Sequence, residues 1–197
     1  MILPLKKLLL SLLLKDLVKR KFSVKEELLV AEYYYPLANE INPLLYDFIV
    51  KSKPNSKKPV NIKAKQTGWH LQGEEVEQLL NWICDKFISD FCDSQFQKTS
   101  SWTCAEMWGV LYGKGDEITM HQHEPSLYSF TYFVNTPKGS SPLVFTTSKK
   151  KIKAESGKLI IFSSRINHHV PPNRCKDRCS IAGNFINLSK EGTYGIG

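Results

Sequence analysis

The chain has 197 residues, 42% of them hydrophobic and 23% charged. That is ordinary globular usage and enough chain to bury a real core, so a wholly disordered or fibrous chain is excluded. The formal charge of +8, with a pI near 9.2, permits contacts with nucleic acid or an acidic surface without requiring them.

Met1–Leu14 is greasy, but Lys6 and Lys7 interrupt it and Lys15, Lys19, Arg20 and Lys21 follow. The uncharged run is far too short to span a bilayer, and no small-residue cleavage site follows it. Lys7, Ser11, Lys15 and Lys19 recur every four residues. One polar stripe down an amphipathic helix, docked on the domain, is the expectation. Cys84, Cys92, Cys104, Cys175 and Cys179 are odd in number and irregular in spacing. They read as reduced thiols of a cytoplasmic protein rather than a disulfide or zinc framework.

Residues 1–95 read mainly as helix and loop and form a helical support region. In Glu40–Val50 the apolar residues Ile41, Leu44, Leu45, Phe48 and Ile49 fall at helical spacing. Lys51–Pro59 is a polar loop. Gly73 precedes a second helix, Glu74–Cys92, whose Val76, Leu79, Leu80, Ile83, Phe87, Ile88 and Phe91 share one face. Such helices brace a sheet from outside.

From Ser101 the pattern changes to short β segments. The candidates are Trp102–Tyr112, Glu117–His123, Leu127–Val134, Leu143–Thr147, Lys151–Ala154, Lys158–Phe162, His168–Val170 and Arg178–Asn187. Turn signals such as Gly113-Lys114-Gly115-Asp116 and Pro171-Pro172-Asn173 separate them. So many closely spaced strands predict a sandwich or barrel. The expected fold is α+β, mainly β. It is one domain over residues 1–197, with a double-stranded β-helix (jelly-roll) core over 101–188 braced by N-terminal helices.

Four of the five histidines fall in two pairs, His121/His123 and His168/His169. On a strand, residues i and i+2 point to the same face, so His121 and His123 project together. With His168 from a distant strand they supply three imidazoles for one metal ion. A His-x-His pair alone is as often a pair of surface histidines, so the later context matters. Arg178 lies ten residues after His168 and shares a face with Ser180. An arginine pointing into a barrel needs an anion, and its fork suits a carboxylate.

These residues resemble the 2-oxoglutarate- and Fe(II)-dependent oxygenase superfamily, whose motif is His-x-Asp/Glu, a distal His, then Arg-x-Ser. More narrowly, the stretch is similar to a family of oxygenases of marine bacteria and their phages. The matching residues include Trp108-Gly109, Tyr112, Gly115-Asp116, His121-Gln122-His123, Ser126, Ser129, Tyr132 and Ser140-Ser141-Pro142-Leu143-Val144-Phe145. The match continues through Phe162, Ser164, His168, Val170-Pro171, Arg178, Ser180 and Asn184-Phe185, and is looser at Asn42 and Thr67-Gly68-Trp69.

The resemblance implies Fe(II) held by His121 and His168, and 2-oxoglutarate paired with Arg178 beside Ser180. Similarity to prolyl-hydroxylase-like enzymes further implies that Tyr112 and Tyr132 reach the cosubstrate. Both tyrosines read equally well as core aromatics. Trp102, Trp108 and Phe130 are expected to exclude water. One departure stands out: the superfamily's carboxylate position is His123. The third ligand is open between His123, favoured by strand geometry, and Glu124, which would need a bulge. His169 faces away from His168.

The leading function is a dioxygenase that uses dioxygen and 2-oxoglutarate to hydroxylate an unactivated C–H bond, with a protein side chain such as proline as one substrate class. A nucleic-acid dioxygenase is the second reading, suited to the lysine runs Lys51–Lys65 and Lys149–Lys153, although such runs are more often solvated loops. A cupin-like metal-binding module without oxygenase activity is the third, and it leaves Arg178 without a purpose.

Overall fold

A computed structural model of the chain describes residues 28–92 and 101–188. The expected N-terminal amphipathic helix lies outside them. The described elements are β1 (Val30–Tyr34), α1 (Ala38–Lys51), β2 (Lys65–Gln66), α2 (Glu74–Phe91) and β3 (Trp102–Tyr112). They continue as β4 (Ile118–His121), β5 (Tyr128–Asn135), β6 (Leu143–Phe145), β7 (Lys150–Ile152), β8 (Lys158–Ser163), β9 (His168–Val170) and β10 (Arg178–Asn187). Among the described residues no helix is long and apolar enough to cross a membrane.

The strands form two antiparallel sheets. The larger runs β1-β8-β5-β10-β3-β2 and the smaller β4-β9-β6-β7. All eight β segments expected after residue 101 are present. Helix and loop before residue 95 is an incomplete description, because β1 and β2 come from that region and occupy the two edges of the larger sheet. β2 is only two residues long, below what a period-two pattern can signal. β1 is a Val/Tyr-rich segment defined by its pairing with β8.

The larger sheet separates two cores. On its outer face lie α1 and α2. Ile41, Leu45 and Ile49 of α1 and Val76, Leu79, Ile83 and Phe87 of α2 are buried there. They pack against Phe130, Tyr132, Ile181 and Phe185 of β5 and β10. Acidic residues open both helices, Glu40 in α1 and Glu74, Glu75 and Glu77 in α2, which complements the helix dipole. The inner face meets the smaller sheet through a second cluster containing Val110, Phe133, Ile160 and Phe162 from one side and Ile118, Leu143, Phe145 and Val170 from the other.

Two register shifts decide which side chains face inward. In β3, Glu106 pairs with Asn184 but Cys104 with Phe185, so Ala105 is one residue too many. The bulge turns Cys104 and Trp102 onto the helix side, where both pack against the outer cluster. In β4, three steps from Ile118 to His121 match two steps from Val170 to His168 on β9. The bulge falls at Thr119–Met120. It leaves Met120 exposed and brings His121 to the inner side with Ile118.

A Cβ on Gly183 would stand 2.5 Å from Cζ of Phe130 and 2.7 Å from the Glu106 carbonyl oxygen. The second atom is backbone and cannot swing away. Gly183→Ala is therefore expected to destabilise the fold by about 1–3 kcal/mol, as overpacking does, read as a lower midpoint of denaturant unfolding.

At the β1–β8 edge the nearly buried ammonium of Lys158 meets Glu32 at 3.2 Å and Glu155 at 2.6 Å. Hydrogen bonds from Lys153, Lys158 and Tyr34 hold the Glu155 carboxyl down to about 2, against an ordinary 4.5. A depressed folded pKa contributes stability that is complete above the unfolded value and lost as pH falls through the folded one. Glu155→Gln should thus lower the melting temperature at neutral pH, with the gap to wild type closing between pH of about 4.5 and about 2.

Candidate metal centre and anion pocket

A cavity of about 530 Å³ lies between the sheets. β10 runs along it and contributes Arg178, Ser180, Ala182 and Asn184, every second residue of the strand. β3 adds Glu106, Trp108, Val110 and Tyr112 on the same principle once its bulge is counted. β4, β9 and the turn after β4 supply His121, His168 and His123.

The three imidazoles converge, with one ring nitrogen from each within 4.8 Å of the others. His121 and His168 are direct cross-strand partners, with ring centroids 4.3 Å apart. β4 ends at His121, so His123 reaches the cluster from a turn rather than from the predicted strand, and its N–H donates to the Ser164 carbonyl. The Nε2 atoms of His123 and His168 are 3.3 Å apart.

Nδ1 of His121 lies 2.9 Å from the Thr119 carbonyl, and Nδ1 of His168 lies 2.8 Å from that of Ile166. A carbonyl only accepts, so each Nδ1 carries the proton and each Nε2 keeps a lone pair facing the cluster. Burial first, then the neighbouring imidazoles, push His123 down to about 3. Burial and His121 do the same to His168, also to about 3, and burial lowers His121. Three neutral rings, two of them with an Nε2 lone pair fixed toward the cluster, suit a divalent metal, which binds imidazole only in its neutral form. Phe162, edge-on to His168 at 4.9 Å, and Trp108, 5.8 Å from His123, wall the cluster.

Glu124 is turned elsewhere. Its carboxylate pairs with Arg165 at 3.5 Å and accepts from Gln122 Nε2 at 3.2 Å. His169 faces away, with Nδ1 3.0 Å from the Thr146 hydroxyl.

Arg178 is fully buried. Its Nε donates to the Ser141 carbonyl at 3.0 Å, and its guanidinium carbon sits 4.1 Å from the centre of the Tyr112 ring. Its Nη1 has no hydrogen-bond partner, and among the described residues no carboxylate pairs with it. An uncompensated buried guanidinium costs several kcal/mol, so this geometry fits an anion in the cavity. Ser180 and Tyr112 line the same end, and Tyr112 is raised by burial against the opposing pull of Arg178 and Ser180. Asn173, which the sequence reading missed, accepts the Ser141 N–H at 3.1 Å and so fixes the carbonyl that holds Arg178. Only its place in a Pro-Pro-Asn turn hinted at it.

Three expectations fail. Tyr132 lies on the helix side of the larger sheet, where its hydroxyl donates to Asn42 Oδ1 at 2.7 Å, so it cannot reach a cosubstrate in the cavity. Phe130 shares that face, because β5 points its even-numbered side chains outward. Trp102 joins them through the Ala105 bulge, leaving Trp108 with Trp69, 5.0 Å away, as the cavity's aromatic wall. Part of the lysine runs is tied into the fold: Lys58 and Lys65 donate to backbone carbonyls, and Lys63 and Lys153 pair with Glu117 and Glu155.

No protein-family profile matches the chain, and no curated protein matches it. Solved structures do. A viral collagen prolyl hydroxylase from Paramecium bursaria Chlorella virus-1, as its 2OG complex, is 16% identical with a TM-score of 0.60, covering 79% of this chain and 94% of that one. A prolyl-4-hydroxylase from Pseudomonas putida is 18% identical with a TM-score of 0.61, covering 79% and 91%. A prolyl hydroxylase from Trichoplax adhaerens, in complex with a hypoxia inducible factor peptide fragment, is 18% identical with a TM-score of 0.56, covering 79% and 83%. The chain shares their fold.

Proposed function

We propose that this chain is a 2-oxoglutarate- and Fe(II)-dependent dioxygenase that hydroxylates an unactivated C–H bond. The observation that carries the reading is Arg178: a buried guanidinium with an unpartnered Nη1 and no carboxylate partner, in one cavity with three convergent imidazoles. A metal module without a cosubstrate has no use for it. In this reading residues 101–188 are a double-stranded β-helix core, and the helices before residue 95 brace it as part of one domain.

His121, His123 and His168 would hold the iron. Three neutral ligands leave the metal's full positive charge in place, unlike a set containing a carboxylate. Arg178 would receive the far carboxylate of 2-oxoglutarate, with Ser180 and Tyr112 as hydroxyl donors beside it. When bound, iron with 2-oxoglutarate supplies the oxidation: substrate C–H, dioxygen and 2-oxoglutarate become C–OH, succinate and carbon dioxide. The protein keeps the imidazoles deprotonated, orients two of them through the Thr119 and Ile166 carbonyls, and excludes water with Trp108 and Phe162.

A protein or peptide side chain is the proposed substrate class. The structural neighbours are prolyl hydroxylases and one of them is seen with a peptide. The test is succinate formation from 2-oxoglutarate in air with added Fe(II). The wild type should produce succinate above the protein-free rate. A metal-loaded wild type giving only the background rate would refute the proposal.

A further inference from the structure

The cavity has two chemically different ends. Arg178 and Asn184 sit six residues apart on one face of β10, roughly 20 Å along the strand. Arg178 takes the anion end. At the other end a buried hydrogen-bond chain starts at the metal cluster. The His123 N–H donates to the Ser164 carbonyl, and the Ser164 and Ser129 hydroxyls meet at 2.7 Å. Ser129 donates to Asn184 Oδ1 at 2.9 Å, and Asn184 Nδ2 donates to Glu106 Oε2 at 3.1 Å.

This chain fixes which way the Asn184 amide points. Its oxygen is committed to Ser129, so its nitrogen faces Glu106 and holds that carboxylate in the cavity wall. Regular period-two spacing places Glu106 on the cavity face with Trp108, Val110 and Tyr112, and the Ala105 bulge ends that face immediately before it. Glu106 has no ion-pair partner among the described residues. Glu124, the other carboxylate lining the cavity, is paired with Arg165. Arg178 is the one Lys or Arg side chain on the cavity wall among the described residues. At the end of the cavity away from Arg178, Glu106 is thus the one carboxylate without an ion-pair partner among the described residues. Trp108, on the same face of β3 two residues further on, adds an aromatic surface beside it.

We propose that Glu106 is the substrate-recognition carboxylate and that the substrate enters with a protonated nitrogen: a lysine or arginine side chain, or a free amine. The carboxylate accepts its hydrogen bonds, and Trp108 offers a ring face to the cation. The oxidised C–H bond would then lie near that nitrogen; this last step rests on the oxygenase reading, whereas the binding does not.

The test uses the full chain, metal-free and with chelator present, at neutral pH. N-acetyl-lysine methylamide and its uncharged counterpart N-acetyl-norleucine methylamide are titrated and followed by protein NMR shifts. The lysine probe should bind about ten-fold tighter or more, the effect of one charge-assisted hydrogen bond in a partly dry site. Glu106→Gln, which keeps an oxygen for Asn184, should reduce the lysine probe to the level of norleucine. Glu124→Gln should leave the preference intact. Equal affinities in the wild type would overturn the proposal, whatever the variants do. A preference that survives Glu106→Gln, or disappears with Glu124→Gln, would overturn it as well. Titration of the same samples with 2-oxoglutarate reports separately on Arg178, and Glu106→Gln should leave that affinity unchanged, so the two readings fail independently.

Discussion

Arg178→Met is expected to weaken 2-oxoglutarate binding roughly 100-fold or more, while the ligand-free protein melts no lower than the wild type. Removing one partner of a buried, hydrogen-bonded charge pair costs about 3–5 kcal/mol, or at least two decades of affinity. In the ligand-free state the balance reverses. The wild type buries a guanidinium whose Nη1 is unsatisfied and which no carboxylate neutralises. The hydrogen bond to Ser141 and the stacking on Tyr112 offset only part of that cost. A methionine of similar length removes the charge and keeps apolar contact with the Tyr112 and Phe133 rings. Replacing buried ionic groups by apolar ones of similar volume is often neutral or stabilising. Calorimetric titration and a melting curve on the same sample check both halves. A variant that melts clearly lower would mean that Arg178 is a structural residue, satisfied by its neighbours.

His168→Ala is the second large effect. His168 is the most deeply buried of the three imidazoles and the direct cross-strand partner of His121. Losing it leaves two donors. The loss of metal affinity should exceed the roughly 10–100-fold that outer-shell changes alone produce. Metal binding raises stability by about 2.7 kcal/mol when free metal is 100 times its dissociation constant. The wild type should therefore melt higher with Fe(II) or Co(II) added, and His168→Ala should lose most of that rise. The rise, rather than the absolute melting temperature, is the quantity to compare, because alanine also leaves a void beside Phe162. His123→Asp keeps three donors and should retain metal-induced stabilisation. An unchanged rise in His168→Ala would remove His168 from the ligand set.

Much of this arrangement was legible in the sequence. Closely spaced β segments after residue 101 and two amphipathic helices before it were readable from periodicity, and all of them are present. The pairing of Arg178 with Ser180 followed from period two, and β10 pairs with β3 without a break there, the extra residue in the β10–β5 ladder at that point lying in β5. What periodicity could not carry was the bulges. A single extra residue at Ala105 reverses the faces of everything before it on β3, which placed Trp102 wrongly. The bulge at Thr119–Met120 brings His121 inward, while His123 arrives from a turn beyond the strand. Tyr132 failed for a different reason. β5 packs its apolar set, Tyr128, Phe130, Tyr132 and Val134, under the helices and turns Ser129, Thr131 and Phe133 to the inner side, so the strand's aromatic-rich face is not the cavity face. The unpartnered Arg178 Nη1 is a tertiary fact that no spacing encodes.

The claim that ties the metal cluster to Arg178 is tested most directly by an anaerobic titration of the Fe(II)-loaded protein with 2-oxoglutarate, followed by visible absorbance. A new absorption band should grow to saturation in the wild type and fail to appear in Arg178→Met at the same concentrations. Iron that remains bound while 2-oxoglutarate produces no band would contradict the account, and so would a band of equal strength in the variant.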